Sequence, residues 1–286
     1  MKAALRRALE AALGAKTQEA TPVSGGDIND AYRVVLEGQG PVFVKTHASA
    51  PPGMYEAEAD GLRWLDEPKA LRIPKVLAYS DAKPAFLAIE WLNPGRPKSG
   101  FENALGQGLA SLHRWGAPSF GHRQDNFIGR LPQDNRSNDT WASFYWQRRL
   151  EPQIRMAVDR GLLRDATQEA CRALETRIAD RTGAPEPPAR LHGDLWGGNL
   201  YVDGDGEPCL VDPAVYGGHR EIDLAMMRLF GGFGARVFDA YEEAFPLEPG
   251  ARERVPLYQL YPLLVHVNLF GGGYEGAVER ALRAVL

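Results

Sequence analysis

Two cysteines in 286 residues, Cys171 and Cys209, are too few and too far apart for a disulfide framework, and they fit no metal-ligand spacing. They read as small buried apolar side chains. No stretch approaches the ~20 apolar residues that a membrane-spanning helix needs. The charged, helix-like segment from Met1 to Ala20 lacks the continuous apolar run of a signal peptide or anchor, so no membrane association is expected and the cytoplasm is the default location. An excess of positive charge is missing too. Against 37 Asp and Glu stand 33 Lys and Arg, a formal net charge of -4, which argues against a phosphate-gripping surface and against nucleic acid as a partner. Internal repeats and low-complexity tracts are also absent. What remains, 44% hydrophobic and 24% charged residues, is ordinary for a globular enzyme of one large domain or two lobes.

The texture of the chain changes near its middle. Residues 1–13 have helical spacing, with Leu5, Leu9 and Leu13 at intervals of four. A glycine turn at Val23 to Asp27 follows. Then come two strands, Ala31 to Leu36 and Pro41 to Lys45, separated by Gly38-Gln39-Gly40. Glycine turns between β-rich runs predict an antiparallel sheet. Met54 to Leu65 has helical spacing, and Val76 to Tyr79 and Ala85 to Trp91 read as further strands. Pro94-Gly95-Arg96-Pro97 breaks the pattern and sets the expected boundary: a first lobe over 1–93 and a mainly helical second lobe over 94–286. Helices are predicted over Phe101 to Trp115, Thr140 to Asp159, Arg164 to Arg181, Glu221 to Phe230, Ala235 to Phe245, Glu253 to Phe270 and Tyr274 to Val285. Residues 191–215 interrupt them with short β-like runs rich in Gly and Asp.

That interruption carries the chemistry. In His192-Gly193-Asp194-Leu195-Trp196-Gly197-Gly198-Asn199, an aspartate is followed five residues later by an asparagine. This is the spacing of a phosphoryl-transfer catalytic loop, which needs a base to orient the attacking hydroxyl and oxygen ligands for magnesium. A strand-turn-strand then leads to Asp212, and its geometry is expected to bring Asp212 back toward Asn199. Upstream, Ser24-Gly25-Gly26-Asp27 could let backbone N–H groups approach phosphate, although a Gly-Gly pair alone is more often only a turn. Lys45 ends an apolar strand, where a charge calls for a partner. Glu58 on the next helix could pair with it, with Glu56 as the competing carboxylate.

With these segments in view, the chain resembles the fructosamine kinases (ketosamine-3-kinases), within the aminoglycoside-phosphotransferase branch of the protein-kinase-like fold. The matching residues are Ser24-Gly25-Gly26, Glu58 to Leu62, Asp125-Asn126-Phe127-Ile128-Gly129, His192 to Asn199, Tyr216 to Ala225 and Leu269 to Tyr274. The loop around Asp194 is common to many small-molecule kinases, whereas Trp196, the Asp125–Gly129 segment and the Gly-Gly-His-Arg-Glu run belong more to the ketosamine branch. Where some relatives carry a cysteine in the glycine-rich loop this chain has Asp27, which argues against redox regulation there.

The resemblance implies a bilobal α+β fold, with an antiparallel sheet plus helix in the first lobe and helices in the second. It implies a kinase using ATP and magnesium on the 3-hydroxyl of a ketosamine, small or protein-bound, in deglycation repair. In it Asp194 would be the base, and Asn199 and Asp212 the magnesium ligands. Lys45, placed by Glu58, would bind ATP phosphates with the loop Ser24, Gly25 and Gly26. Glu90-Trp91-Leu92 would be the hinge that hydrogen-bonds adenine. Asp223 would brace the catalytic loop, although a helix N-terminal charge stabilised by the dipole is an equal alternative. His192 would support that loop. Trp196 would form either a sugar platform or core, and His266 and Asn268 either substrate contacts or core polar groups. The competing functions are a kinase of the same fold for an aminoglycoside, choline or another sugar, and a nucleotide-binding pseudokinase.

Overall fold

The computed structural model describes residues 1–23 and 30–286. Ser24, Gly25, Gly26 and Asp27 lie outside the described residues. The chain forms two compact units, one of Met1–Phe101 with Leu200–Pro213 and one of Glu102–Asn199 with Ala214–Leu286.

The first unit opens with helix α1 (Ala3–Leu13), which buries Leu5 and Leu9 and stops at Gly14, a residue in the left-handed region at φ 68°. A sheet follows, built from β1 (Thr17–Val23), β2 (Asp30–Leu36) and β3 (Pro41–Thr46), then, after helix α2 (Met54–Asp66), from β4 (Val76–Ser80) and β5 (Phe86–Glu90). Its order is β1-β2-β3-β5-β4, and every pairing is antiparallel, as the glycine turns predict. The alternation along β3 explains both the core and the site. Val42 and Val44 point to a cluster with Leu5, Leu9, Val34, Leu36, Phe86 and Ala88, and Lys45 faces the other way. Strand β1 escapes the sequence pattern because it is largely exposed, with only Thr17 buried.

The expected boundary at Pro94 shifts. The first unit runs on to Phe101 and takes back the hairpin of Leu200–Val202 and Pro208–Leu210, which the sequence reading kept with the helical lobe. Backbone pairing is the cause. The Gly95 N–H donates to the Val202 carbonyl at 3.0 Å and the Leu210 N–H to the Arg72 carbonyl at 3.0 Å. Arg72 also pairs with Asp203 at 3.2 Å.

The second unit is helical, around a core that includes Leu150, Leu191, Tyr216, Tyr258, Leu264 and Val278. Helices Phe101–Trp115 and Glu221–Phe230 fall where the spacing places them. The expected helix over 140–159 is Trp141–Phe144, a π-helical segment Tyr145–Leu150 and Glu151–Asp159. The expected helix over 164–181 breaks into Asp165–Glu175 and Ile178–Arg181. Ala251–Phe270 continues through Pro256 and Pro262, held by a long buried stretch. Two three-residue strand pairs, Ala189–Leu191 with Tyr216–Gly218 and Asn126–Ile128 with Leu131–Gln133, are too short to leave a periodic signal. Among the described residues no helix is long and apolar enough to cross a membrane.

Candidate active site

In the first unit, Lys45, Glu58 and Asp212 meet. Lys45 is 5% exposed, and its ammonium lies 2.7 Å from Glu58 Oε1 and 2.9 Å from Asp212 Oδ1. Burial alone would strip its charge, but Asp212 and Glu58 outweigh burial and raise its pKa, so the cation is held. Glu56, the competing carboxylate, lies outside this pair. Its residue is exposed, and its backbone N–H donates to Asp81 Oδ2 at 3.0 Å, where Asp81 also accepts the Tyr55 N–H at the start of α2. Asp212 sits in the left-handed region at φ 54°, which a short polar side chain tolerates better than most. Its side chain is 51% exposed.

The hinge residues are held differently. Glu90 turns its carboxylate to Arg72 and accepts the Lys75 N–H at 2.9 Å, so that side chain secures the sheet edge. The Leu92 carbonyl accepts the Tyr201 hydroxyl at 3.1 Å.

The catalytic-loop segment belongs to the second unit. Strand Ala189–Leu191 delivers the chain to His192, and Asp223 then takes both of the next amides: His192 N–H donates to Oδ2 at 2.8 Å and Gly193 N–H to Oδ1 at 2.9 Å. The Asp194 N–H donates to His192 Nδ1 at 3.3 Å. Asn199 Nδ2 donates to the Asp194 carbonyl at 2.8 Å, across a 3₁₀ turn over Gly197–Asn199. Gly193 has φ 83°, and a Cβ there would lie 2.0 Å from the Ala214 carbonyl oxygen, so only glycine fits. Both alternatives for Asp223 hold together, since it braces the loop from the first turn of helix Glu221–Phe230.

Sequence reasoning missed what steadies Asp223. His113, in the last turn of helix Phe101–Trp115, is buried with Nε2 3.2 Å from Asp223 Oδ2 and Nδ1 2.8 Å from the Tyr241 hydroxyl. Burial pushes the Asp223 carboxyl up, but hydrogen bonding and charge from His113 prevail and hold it below the usual carboxylate range.

Trp196 is 41% exposed, so it is not a core residue. Its indole covers Gly198, where a Cβ would come within 2.3 Å of the ring. Asn268 leaves the set of substrate candidates. It is 1% exposed, and its amide donates to the Gln153 carbonyl at 2.9 Å and to Gln153 Oε1 at 2.8 Å. His266 is partly buried, and burial lowers its pKa.

The two remaining family segments are supports. Asn126 donates to the Val215 carbonyl at 2.8 Å and Gln133 to that of Ala214 at 3.1 Å, the stretch just after Pro213. Arg149 lies fully buried in the π-helical segment. It donates to Asn135 Oδ1 at 2.6 Å, and its guanidinium stacks 3.9 Å from the Tyr216 ring centroid. In the Gly-Gly-His-Arg-Glu run, Arg220 holds Glu186 through two bonds of 2.8 Å and Glu221 pairs with Arg254.

Magnesium is a hard cation held in kinases by one or two side-chain oxygens plus waters and phosphates. Donors of that kind occur in each unit: Asp212 of the first carries a carboxylate, and Asn199 of the second, whose amide nitrogen is directed at Asp194, carries a carbonyl oxygen. No cluster of three or more His, Cys, Asp or Glu able to hold a metal exists among the described residues, and this ion requires none.

The profile of the family described as fructosamine kinase matches residues 1–286. A protein of Enterococcus faecium named "Probable ketoamine kinase" is 41% identical over 263 residues, 91% of this chain and 93% of its own length. A crystal structure from Thermobifida fusca, provisionally described as a fructosamine-3-kinase, superposes with a TM-score of 0.91 at 39% identity over 98% of both chains. A choline/ethanolamine kinase family protein of Mesorhizobium loti shares the fold alone, with a TM-score of 0.60 at 16% identity over 93% of this chain and 87% of its own. The α+β protein-kinase-like class expected from the sequence is the observed one.

Proposed function

The chain belongs to the fructosamine kinase family, and from that premise we propose that it transfers the γ-phosphoryl group of ATP to the 3-hydroxyl of a ketosamine, for deglycation. Family membership makes it a phosphotransferase acting on ketosamines. The position of the phosphate and its purpose are the proposal. The observation that carries it is the loop in which Asp223 fixes the two amides before Asp194 while Asn199 closes back on the Asp194 carbonyl.

Phosphoryl transfer asks the protein for position and charge more than for covalent chemistry. Asp194 accepts the proton of the acceptor hydroxyl as its oxygen attacks phosphorus. Lys45, kept cationic by Glu58 and Asp212, meets the α- and β-phosphates. Adenine is held by the backbone of Glu90 to Leu92, and Ser24, Gly25 and Gly26 are assigned to the ATP phosphates from the sequence alone. Asn199 and Asp212 would hold magnesium, which when bound neutralises charge on the phosphates. Trp196, exposed beside Asp194, faces the sugar. A phosphate on C3 becomes an allylic leaving group once the amine-bearing carbons form an enaminol, and elimination with hydrolysis frees the amine.

The test is ADP release with magnesium and ATP on a panel of ribulosamine, fructosamine, erythrulosamine, an aminoglycoside and choline. Turnover on ketosamines alone, falling about 10²-fold or more in Asp194→Asn, is the expected result. Turnover only on another alcohol, or an unchanged rate in Asp194→Asn, refutes the assignment.

A further inference from the structure

Beside the catalytic loop stands a group of rings that the reaction as described leaves unused. His266 lies 4.6 Å from the Phe230 ring, 5.4 Å from that of Phe270 and 5.1 Å from that of Tyr274, centroid to centroid. A packed core would hide such a set, but Phe230 is 39% and Phe270 55% exposed. The sequence around them keeps the faces open. A Cβ added at Gly231, Gly271 or Gly273 would meet nothing within 4 Å. The group adjoins the loop through Gly232, where a Cβ would lie 3.1 Å from the Gly197 Cα.

Three features select the ligand. Aromatic faces attract cations. Helix Glu221–Phe230 ends at this group and turns the negative end of its dipole to it, whereas the last turn of Ala251–Phe270 already accepts from Arg160 at the Asn268 carbonyl and from Arg130 at the Leu269 carbonyl. His266 Nδ1 lies 2.7 Å from the Pro262 carbonyl, which fixes that nitrogen as the donor and leaves Nε2 as an acceptor. We propose that Phe230, His266, Phe270 and Tyr274 form the subsite for the cationic amine of the acceptor, with ring faces against the ammonium and its carbon substituent, and His266 Nε2 accepting an ammonium N–H.

As an assignment within the acceptor site this rests on the ketosamine reading, so its test has an arm independent of turnover. N-methylbenzylammonium and benzyl alcohol are compared as ligands by NMR titration of the intact protein. The wild type is expected to prefer the ammonium. Phe270→Leu, which keeps apolar bulk but removes the π face, is expected to lose that preference by about 3- to 30-fold, and Phe270→Trp to retain it. In the kinetic arm, Phe270→Leu raises KM for a ketosamine by a similar factor, leaves KM for ATP unchanged, and has no effect on an amine-free 1-deoxyketose. Equal binding of the two ligands, or an ammonium preference intact in a folded Phe270→Leu, overturns the subsite. If the ammonium preference depends on Phe270 while no ketosamine is phosphorylated, the subsite stands and the substrate assignment falls.

Discussion

Replacing Asp223 by asparagine changes one atom and tests how the catalytic loop is held. Its Oδ2 serves the His192 N–H at 2.8 Å and His113 Nε2 at 3.2 Å, and Oδ1 serves the Gly193 N–H at 2.9 Å. Asparagine has one acceptor oxygen. Oriented to keep the Oδ2 pair, it presents an NH2 group to the Gly193 N–H, so one charge-assisted bond is lost and two donors face each other. The lost bond is worth about 1.5–3 kcal/mol. Neutralising the acceptor weakens the remaining bonds, since charge-assisted ones are roughly twice as strong as neutral ones. The sum is about 3–5 kcal/mol, with no discount for solvent because Asp223 is fully buried. That is a large share of the roughly 5–15 kcal/mol that keeps a domain folded. The check is urea unfolding followed by circular dichroism, with turnover measured at a temperature where the variant remains folded. Turnover is expected to fall about 10²-fold, because Gly193 directly precedes Asp194 and small misplacements of reacting groups are costly. Unfolding within about 0.5 kcal/mol of wild type together with unchanged turnover would refute the brace.

Lys45→Met leaves Glu58 buried without its cation. A stability loss of about 3–5 kcal/mol is expected by calorimetry, with KM for ATP raised tenfold or more, and adding Glu58→Leu should restore part of the stability but none of the ATP affinity. Acid sensitivity provides another check. Burial pushes His219 and His266 below their ordinary pKa, against the raising influence of Glu221 and Glu186 on His219 and of the Pro262 carbonyl on His266. The unfolded chain therefore binds their protons first, so stability is full above about pH 6.5 and falls as pH drops toward the folded pKa values. Burial also raises the Glu58 carboxyl to about 7, which acts in the opposite direction over the same range, so the check is the difference in urea midpoint between wild type and a His219→Phe, His266→Phe double variant; a difference that stays constant between about pH 7 and pH 5 would contradict this.

Much of the site was legible because phosphoryl transfer ties residue types to spacings. Asp194 and Asn199 share a loop, and Lys45 finds Glu58 because a charge at the end of an apolar strand must be paired. Helices with a clear apolar face, such as Phe101–Trp115, fell in place. What escaped depends on contacts distant in sequence. His113 supports Asp223 from 110 residues away, and no local pattern carries that pairing. The π-helical turn reads as ordinary helix, and its register shows only in the burial of Arg149 against Asn135. Asn268 resembled a ligand contact because a polar residue in an apolar helix looks functional until its partner Gln153 is seen.

The hairpin from Leu200 to Pro213 has a consequence for anyone who exchanges parts between members of this family. The first unit is not a continuous stretch of gene, since the chain leaves it at Phe101 and returns a hundred residues later with the segment that carries Asp212. A graft that ends at Phe101 would strip partners from Gly95 and Arg72 and would part Lys45 from one of its two carboxylates. Recombination between relatives should therefore inherit residues 1–101 and 200–213 as one heritable block, and crossover libraries that separate them should be depleted of active clones.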